Sequence, residues 1–293
     1  MSKSYPPILL HKLADETVIE ILQAIIPIFN ELEIAYFVVG AFARDIALLA
    51  RGYDEQPIRK TNDLDLAVMV ANFEEFEHLK ARINSSSVDF TPHTSEPYRI
   101  LFKKKYELDL LPFGQIEDEK GDVTLIAKKT VVLNMPGFSN AYFAVETVET
   151  DQGFNLKVSS LPGIVLLKLI AWNDRPAERR KDIEDISYII KNLYLLEIEQ
   201  IANEDSDILD LLEEFDPELF TYAVAARYLG RKIRLMLKND KALYSKVQKI
   251  LEENIQDIEK SDMARIMSFK TLKNAVLIIQ QINDGLEDIQ PKD

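Results

Sequence analysis

The pattern of apolar residues changes near residue 160, and this change restricts the fold more than any other feature of the sequence. Before it, short apolar runs lie between turn residues, which is typical of strands interspersed with a few helices. After it, apolar residues recur with helical spacing almost to the end of the chain. The segment 159–163 (Ser-Ser-Leu-Pro-Gly) joins the two parts. We therefore predict an α+β fold with two domains, a mixed sheet flanked by helices in residues 1–160 and a helical domain in residues 161–293.

The individual elements are predicted from the same periodicities. Helices are expected over residues 11–33, 41–49 and 72–83, and the second of them starts directly after Gly40. Strands are expected where short apolar runs lie between turn residues. The predicted strands are 36–39, the segment that starts at Asp63, and stretches near 98–103, 106–112, 123–126, 130–133, 142–148 and 154–158.

Composition excludes several classes of site. The chain has no cysteine, which rules out disulfides, thiolate metal sites and cysteine nucleophiles, and its three scattered histidines argue against a zinc site. A formal net charge of −14 argues against broad, nonspecific binding of nucleic acid, which depends on Lys and Arg. We find neither a signal-like N-terminus nor an apolar run of membrane-spanning length, so we expect a cytoplasmic location and no membrane partner.

Two carboxylates lie two residues apart in the apolar segment Asp63-Leu64-Asp65-Leu66. Because side chains alternate along a strand, Asp63 and Asp65 project from one face and the two leucines from the other. Like charges held side by side repel, and each is costly to desolvate without a counter-ion. Mg²⁺ relieves both problems, since it favours one or two carboxylates together with substrate phosphates. The segment is therefore a candidate metal site.

Two further features of the sequence support a site at this aspartate pair. Residues 37–45 predict a strand, a turn at Gly40 and the start of a helix, where free N–H groups and the positive helix end suit a phosphate. Asp109 lies between Leu108 and Leu110 in another predicted strand, so it can point to the same side as the first pair. Three carboxylates on neighbouring strands, facing a glycine turn, indicate a site for a metal and a phosphate.

These residues resemble the signature of the nucleotidyltransferase superfamily that includes DNA polymerase β-like enzymes. That signature has Gly followed by Gly or Ser at a helix start, an Asp-x-Asp/Glu pair on the next strand, and a third acid on a later strand. The matching positions are Gly40-Ala41, Asp63, Asp65 and Asp109. Ala41 departs from the pattern, because alanine lacks a hydroxyl for a phosphate. The resemblance implies a nucleotidyltransferase-like domain over residues 1–160, with Gly40, Ala41 and Arg44 near the nucleotide.

A narrower resemblance is to the AbiEii/AbiGii-type abortive-infection toxin branch. Arg59 and Thr61 precede the aspartate pair in the order R-x-[ST]-x-D-x-D of that branch. In the helical part, Lys168, Arg175 and Asp182 match its pattern K-x-x-A-x-x-x-R followed by R-x-D-x-x-D. The resemblance implies that residues 161–293 complete the nucleotide and substrate cleft, with cations that hold a triphosphate.

Another reading of these helical residues stays open. Asp182 and Asp185 lie one helical turn apart, close to Arg179, and a salt-bridge network between helices would use the same residue types. Lys168 is less easily explained in this way, because its helix is otherwise apolar.

The resemblance also implies a reaction, the transfer of a nucleoside monophosphate from an NTP to an acceptor hydroxyl. Asp63 and Asp65 would ligate two Mg²⁺ (or Mn²⁺) ions, and Asp109 would complete the site and help to deprotonate the hydroxyl. The Gly40 amides and Lys168 would hold the phosphates. A tRNA end, a small molecule and a protein side chain all remain open as acceptors. The toxin branch would add growth arrest and an antitoxin protein as a partner.

Two other classes of function use the same residues. A catalytically silent module could bind a nucleotide or a partner without turnover, which the alanine at position 41 mildly favours and the three carboxylates disfavour. A Mg²⁺-dependent phosphohydrolase would use the carboxylates on another fold, but it leaves the match at Gly40 unexplained.

Overall fold

The computed structural model describes residues 5–54, 63–126 and 128–288 of the 293-residue chain. The chain forms two compact units, Met1–Ser160 and Leu161–Asp293. The first contains strands and helices, and the described part of the second is helical. The predicted α+β fold, with a mixed sheet followed by a helical region, is therefore confirmed.

The described part of the first unit contains the strands β1 (Tyr36–Val38), β2 (Asp63–Met69), β3 (Phe90–Pro92), β4 (Arg99–Phe102), β5 (Tyr106–Phe113), β6 (Asp122–Ile126), β7 (Thr130–Asn134), β8 (Glu146–Glu149) and β9 (Asn155–Val158). Seven of them form a mixed sheet in the order β3-β4-β5-β2-β1-β9-β8, and β6 and β7 pair separately. Strand β2 pairs antiparallel with β1 and parallel with β5, so it lies inside the sheet. Its apolar residues Leu64 and Leu66 are fully buried.

The helices of the first unit begin where the sequence offers a cap or a glycine. The Asp15 side chain accepts a hydrogen bond from the Val18 N–H and starts the first helix, and Asn72 does the same for the third. The helices are α1 (Glu16–Glu31), α2 (Gly40–Ala50), α3 (Phe73–Ser86) and α4 (Phe138–Tyr142), with a 3₁₀ turn at Leu10–Lys12.

The second unit is built around a close crossing of two helices. A Cβ atom on Gly230 would lie 2.1 Å from the backbone oxygen of Ile282, and one on Gly285 would lie 2.1 Å from that of Arg227. Paired glycines therefore let these two backbones approach. The helices are α5 (Leu161–Asp174), α6 (Arg180–Glu204), α7 (Asp207–Leu211), α8 (Phe220–Met236), α9 (Lys241–Ile255), α10 (Asp262–Ile266) and α11 (Leu272–Asp288), with a 3₁₀ turn at Ile258–Lys260.

Most predicted elements are present, but helix α1 begins only at Glu16 and the start of one predicted strand is wrong. The segment 142–148 was expected to be a strand, but Tyr142 ends helix α4 and the strand begins only at Glu146. Gly137 opens this helix in the left-handed region (φ 92°), and the Tyr142 ring then packs against Phe37 and Phe113. This packing outweighs the strand preference of the aromatic residues. Strand β3 was not predicted, because three residues carry too little periodicity.

None of the helices in the described ranges combines the length and apolar character that crossing a membrane requires.

Candidate active site

Four carboxylates form an acidic row where β2 and β5 run side by side. The parallel register pairs Asp63 with Glu107 and Asp65 with Asp109. Paired residues of neighbouring strands share a face of the sheet, so the expected side-by-side placement of Asp65 and Asp109 is confirmed. Asp63 is exposed, Asp65 is half-buried, and Asp109 retains only 8% exposure. We call Asp63, Asp65, Glu107 and Asp109 the acidic row.

Gly40 lies directly against the acidic row. Its φ is +73°, a left-handed conformation that side chains rarely adopt, and a Cβ atom added here would lie 2.3 Å from Oδ2 of Asp65. The Val39 N–H also donates to the Asp65 carbonyl at 3.0 Å. Because α2 starts at Gly40, the Asp65 carboxylate lies at the N-terminal, positive end of that helix. Glycine at this position thus allows the contact between turn and carboxylate.

Arg99, which was not singled out from the sequence, binds the other side of the acidic row. It lies opposite Asp109 in the antiparallel pair β4–β5. Its Nε donates to Asp109 Oδ1 at 2.6 Å and its Nη2 to Oδ2 at 2.8 Å, and Nη1 contacts Glu107. Such bidentate contacts are the stronger form of arginine–carboxylate pair. The sequence signal was an arginine at the start of an apolar strand, beside a strand with two acids.

Burial and the hydrogen bonds from Arg99 shift the pKa of Asp109 in opposite directions. Burial raises the pKa of Asp109, and the hydrogen bonds from Arg99 partly offset that rise. The same hydrogen bonds raise the pKa of Arg99 above its ordinary value. Arg99 is therefore a permanent cation at the row.

The donor set fits one hard cation better than two. Asp63 and Asp65 offer oxygen ligands on one face, and Asp65 lies against the turn at Gly40. Oxygen ligands of this kind are the ones that Mg²⁺ prefers. Asp109 is different, because both of its oxygens already accept hydrogen bonds from Arg99. Within residues 5–54, 63–126 and 128–288, no three His, Asp or Glu side chains form a metal-binding group.

The remaining predicted residues of the first unit differ in their surroundings. Ala41 is the second residue of α2 and is half-buried. Arg44 is fully buried, and its Nε donates to Asp45 at 2.8 Å. Arg59 and Thr61 lie outside the described residues.

In the helical unit, Lys168 forms a buried ion-pair cluster between α5 and α6. Its Nζ lies 2.8 Å from Asp182 Oδ1 and 2.8 Å from Asp185 Oδ2, and all three residues are buried. Asp182 Oδ2 is in turn 3.8 Å from Arg179. These contacts correspond to the salt-bridge network that the sequence left open. We call Lys168, Asp182 and Asp185 the interhelical cluster.

Arg175 does not join this cluster. It is exposed and pairs with Asp174 at 3.1 Å, at the end of α5. Its predicted contact with a nucleotide remains a prediction.

A cleft of about 380 Å³ adjoins the acidic row through Arg99. Its walls come from the start of α3, the end of β3, the loop that follows and the end of β6. Phe73 and Ile126 are exposed there, which gives the cleft an apolar rim. Volumes of this size accommodate small molecules. The charged residues of its wall are Glu77, Lys80, Glu96 and Arg99, and His93 also lines it.

Comparison with known proteins gives only distant likenesses. No protein-family model matches the chain, and no curated protein matches it. The solution structure of the antibiotic-resistance factor ANT(2'')-Ia is similar at 13% identity and a TM-score of 0.37, over 80% of this chain and 97% of that one. The crystal structure of ANT(2'')-Ia with adenylyl-2''-tobramycin gives 16% identity and a TM-score of 0.35, over 72% and 99%. At these TM-scores the likeness assigns neither a fold nor a function.

Proposed function

We propose that the chain is a nucleotidyltransferase, which transfers a nucleoside monophosphate from an NTP to an acceptor hydroxyl. The observation that carries this proposal is the contact between Gly40 and Asp65 beside Asp109. It combines a helix N-terminus, a turn without a side chain and two neighbouring carboxylates in one place. Nucleotidyl transfer needs all three, because a phosphate must lie close to the backbone and beside a bound divalent ion.

The triphosphate would bind at the start of α2. The N–H groups of Gly40 and Ala41 lie at the positive end of that helix, and Gly40 leaves room for a phosphate to approach. Asp63 and Asp65 would hold a divalent ion, Mg²⁺ or Mn²⁺, which supplies charge neutralisation and polarisation of the phosphate when bound. Positioning and electrostatics would then provide most of the rate.

The acceptor would enter from the cleft. In-line transfer requires the attacking oxygen opposite the leaving pyrophosphate. Across the sheet, Gly40 follows β1 on one side of β2, whereas Arg99 and the cleft lie beyond β5 on the other. A phosphate at Gly40 and a hydroxyl from the cleft therefore meet at the Asp65–Asp109 pair from opposite sides. Asp109 is connected to the cleft through Arg99, which lines it, and the Asp109 oxygens retain lone pairs beyond the two that Arg99 uses.

The size and charge of the cleft favour a small-molecule acceptor. A volume of about 380 Å³ is in the range of ligand pockets. Its wall carries as many carboxylates as cations, Glu77 and Glu96 beside Lys80 and Arg99, which does not suit a polyanion such as tRNA. A tRNA end and a protein side chain are the other acceptors compatible with the reaction.

The toxin role belongs to the same proposal in its narrower form. If the chain acts as the AbiEii/AbiGii-type branch does, its expression arrests growth, and an antitoxin protein relieves the arrest. For Lys168 this narrower form predicts that its ammonium exchanges one of its two carboxylate partners for a phosphate.

Product analysis tests the reaction class. The purified chain is incubated with Mg²⁺ and each NTP, and pyrophosphate and inorganic phosphate are measured separately. We expect pyrophosphate, and its loss in the Asp63→Ala/Asp65→Ala variant. Glu149→Gln is the matched control, since Glu149 is an exposed carboxylate on β8, an edge strand of the same sheet. Inorganic phosphate as the product would indicate a phosphohydrolase, and pyrophosphate release that survives the double substitution would refute the proposed centre.

A second candidate is a silent module that binds an NTP without turnover. The observation that favours it is the bidentate hold of Arg99 on Asp109, which competes with use of Asp109 as a base. Saturable NTP binding by calorimetry, with no pyrophosphate released, would identify this alternative.

A further inference from the structure

We infer that Arg99 takes the place of a second metal ion at the acidic row, so that the centre holds one divalent cation, between Asp63 and Asp65. This inference rests on the proposed function and specifies its metal requirement. Arg99 lies on β4, opposite Asp109 and outside the sequence signature.

The acidic row needs positive charge from more than one source. Asp63, Asp65, Glu107 and Asp109 are paired in register on two adjacent strands, which gives four negative charges on neighbouring positions. Arg99 is the cation that contacts two of them, Glu107 and Asp109. Its charge lies on the β5 half of the row, and a divalent ion at Asp63 and Asp65 would add positive charge to the β2 half. The row thus attracts a divalent ion even with Arg99 in place.

Arg99 also determines where that ion can bind. The guanidinium engages both oxygens of Asp109, at 2.6 and 2.8 Å, and its positive charge repels a cation that approaches the same carboxylate. Asp63 is exposed to solvent, and Asp65 lies against Gly40, away from Arg99 in the order of the strands. A hard cation therefore finds its ligands on the Gly40 side of the row, and the guanidinium occupies the cleft side.

In this arrangement the leaving phosphates and the acceptor hydroxyl lie next to different charged groups. The leaving phosphates, at Gly40, face the side on which a divalent ion binds. The acceptor hydroxyl, in the cleft, meets Asp109 and Arg99 instead. Arg99 is thus a positioning residue, because it orients the Asp109 carboxylate and supplies fixed charge, without itself exchanging a proton.

Counting bound Mn²⁺ in the nucleotide-free chain tests the inference. Titration followed by electron paramagnetic resonance should give one tightly held ion for the wild type and none for Asp65→Asn. Arg99→Ala should hold two, since Asp109 and Glu107 then become available as ligands. Arg99→Lys keeps the charge and should hold one.

Arg82→Ala provides the matched control. Arg82 makes the same bidentate contact with Glu31, at 3.1 and 2.8 Å, on the surface of the first unit, so its loss should leave the count at one. If Arg99→Ala does not fold, Arg99→Gln removes the charge with less change in volume and gives the same readout. A wild-type count other than one, or an unchanged count in the neutral Arg99 variant, overturns the inference.

The count of bound ions and the transfer of nucleotide can fail independently of each other. A wild type that transfers nucleotide but holds two ions overturns the inference alone. A wild type that holds one ion but transfers nothing supports the inference and refutes the proposed function.

Discussion

Each of the two units contains a cation between two carboxylates, partly buried in the first unit and buried in the second, and the two clusters differ in what surrounds them. Arg99 contacts Asp109 and Glu107 beside an exposed third acid, Asp63, and it also lines a cleft. Lys168 contacts Asp182 and Asp185 between two helices, and these three side chains are at most 11% exposed. The first cluster lies beside a further acid and a cleft, whereas the second is enclosed.

This difference distinguishes a candidate ligand site, the acidic row, from an ion-pair cluster that stabilises the packing of two helices. An enclosed ion pair affects stability mainly when one partner is removed, because the other partner is then left as an uncompensated buried charge. A ligand site needs space, which the cleft beside Arg99 provides. Residue type alone does not make this distinction, since both clusters consist of one cation and two acids.

The largest expected effect concerns the interhelical cluster. Lys168→Met removes the cation and leaves Asp182 and Asp185 facing each other, so we expect the free energy of unfolding to fall by about 3–5 kcal/mol. Lys270→Met is the control, because Lys270 makes an exposed pair with Glu218 at 3.0 Å and its loss should cost less than about 1 kcal/mol. Denaturant unfolding measures both. A Lys168→Met variant as stable as the control would contradict the structural role and favour a ligand-binding ammonium.

The next effect concerns the glycine turn. Gly40→Ala should reduce nucleotidyl transfer about 100-fold, because the new Cβ would displace the Asp65 carboxylate and a shift of this kind misplaces reacting groups. Its left-handed φ should also cost about 1–2 kcal/mol of stability.

Gly52→Ala separates these two contributions. Gly52 has a φ of +88° with nothing within 4 Å of an added Cβ, so it carries the backbone cost without the clash. Initial rates and unfolding curves of both variants provide the comparison. Equal rates for the two variants would show that the Gly40–Asp65 contact has no catalytic importance.

The smallest expected effect is a loss of stability in the first unit at alkaline pH. Burial raises the pKa of Tyr36, in β1, to about 12. Above pH 10 the unfolded chain releases this proton and the folded chain keeps it, so stability falls as the pH rises through the interval from about 10 to about 12. At pH 11 the loss should be about 1 kcal/mol. Tyr36→Phe should remove it, as measured by hydrogen exchange of β1.

An unchanged alkaline profile in Tyr36→Phe would mean that another group titrates in this range. The helical unit should respond at the acid end instead. Burial raises the pKa of Asp288, but hydrogen bonds from Arg227 and Arg231 outweigh burial and hold that pKa below its ordinary range. The stability from these contacts is therefore present above the ordinary pKa of an aspartate and is lost as the pH falls below it.

Sequence reasoning found the parts of the site that local patterns encode. Alternation in β2 predicted the shared face of Asp63 and Asp65, and the same rule for β5 placed Asp109 beside them. The turn at Gly40 was predicted from a strand followed by a helix. Its contact with Asp65 was not, because it depends on the pairing of β1 with β2.

What sequence reasoning missed depends on tertiary pairing. Arg99 acquires its role only when β4 lies antiparallel to β5 and brings it opposite Asp109. The cluster at Lys168 depends on how α5 packs against α6, and the sequence pattern was compatible with both a site and a salt bridge. Helix α4 formed where aromatic residues predicted a strand, since the rings pack against the sheet. The spacing of apolar residues along the sequence does not predict any of these contacts.

Transfer of label from an NTP is the most direct test of the acidic row as a nucleotidyl-transfer centre. The wild type is incubated with Mg²⁺, α-labelled NTPs and either cellular small molecules or RNA, and labelled covalent products are identified by mass spectrometry. We expect label in a small hydroxylated molecule, reduced at least about 100-fold in Asp65→Asn and unchanged in Glu149→Gln. Label that appears in RNA would revise the acceptor. Label transfer that persists in Asp65→Asn would contradict the account.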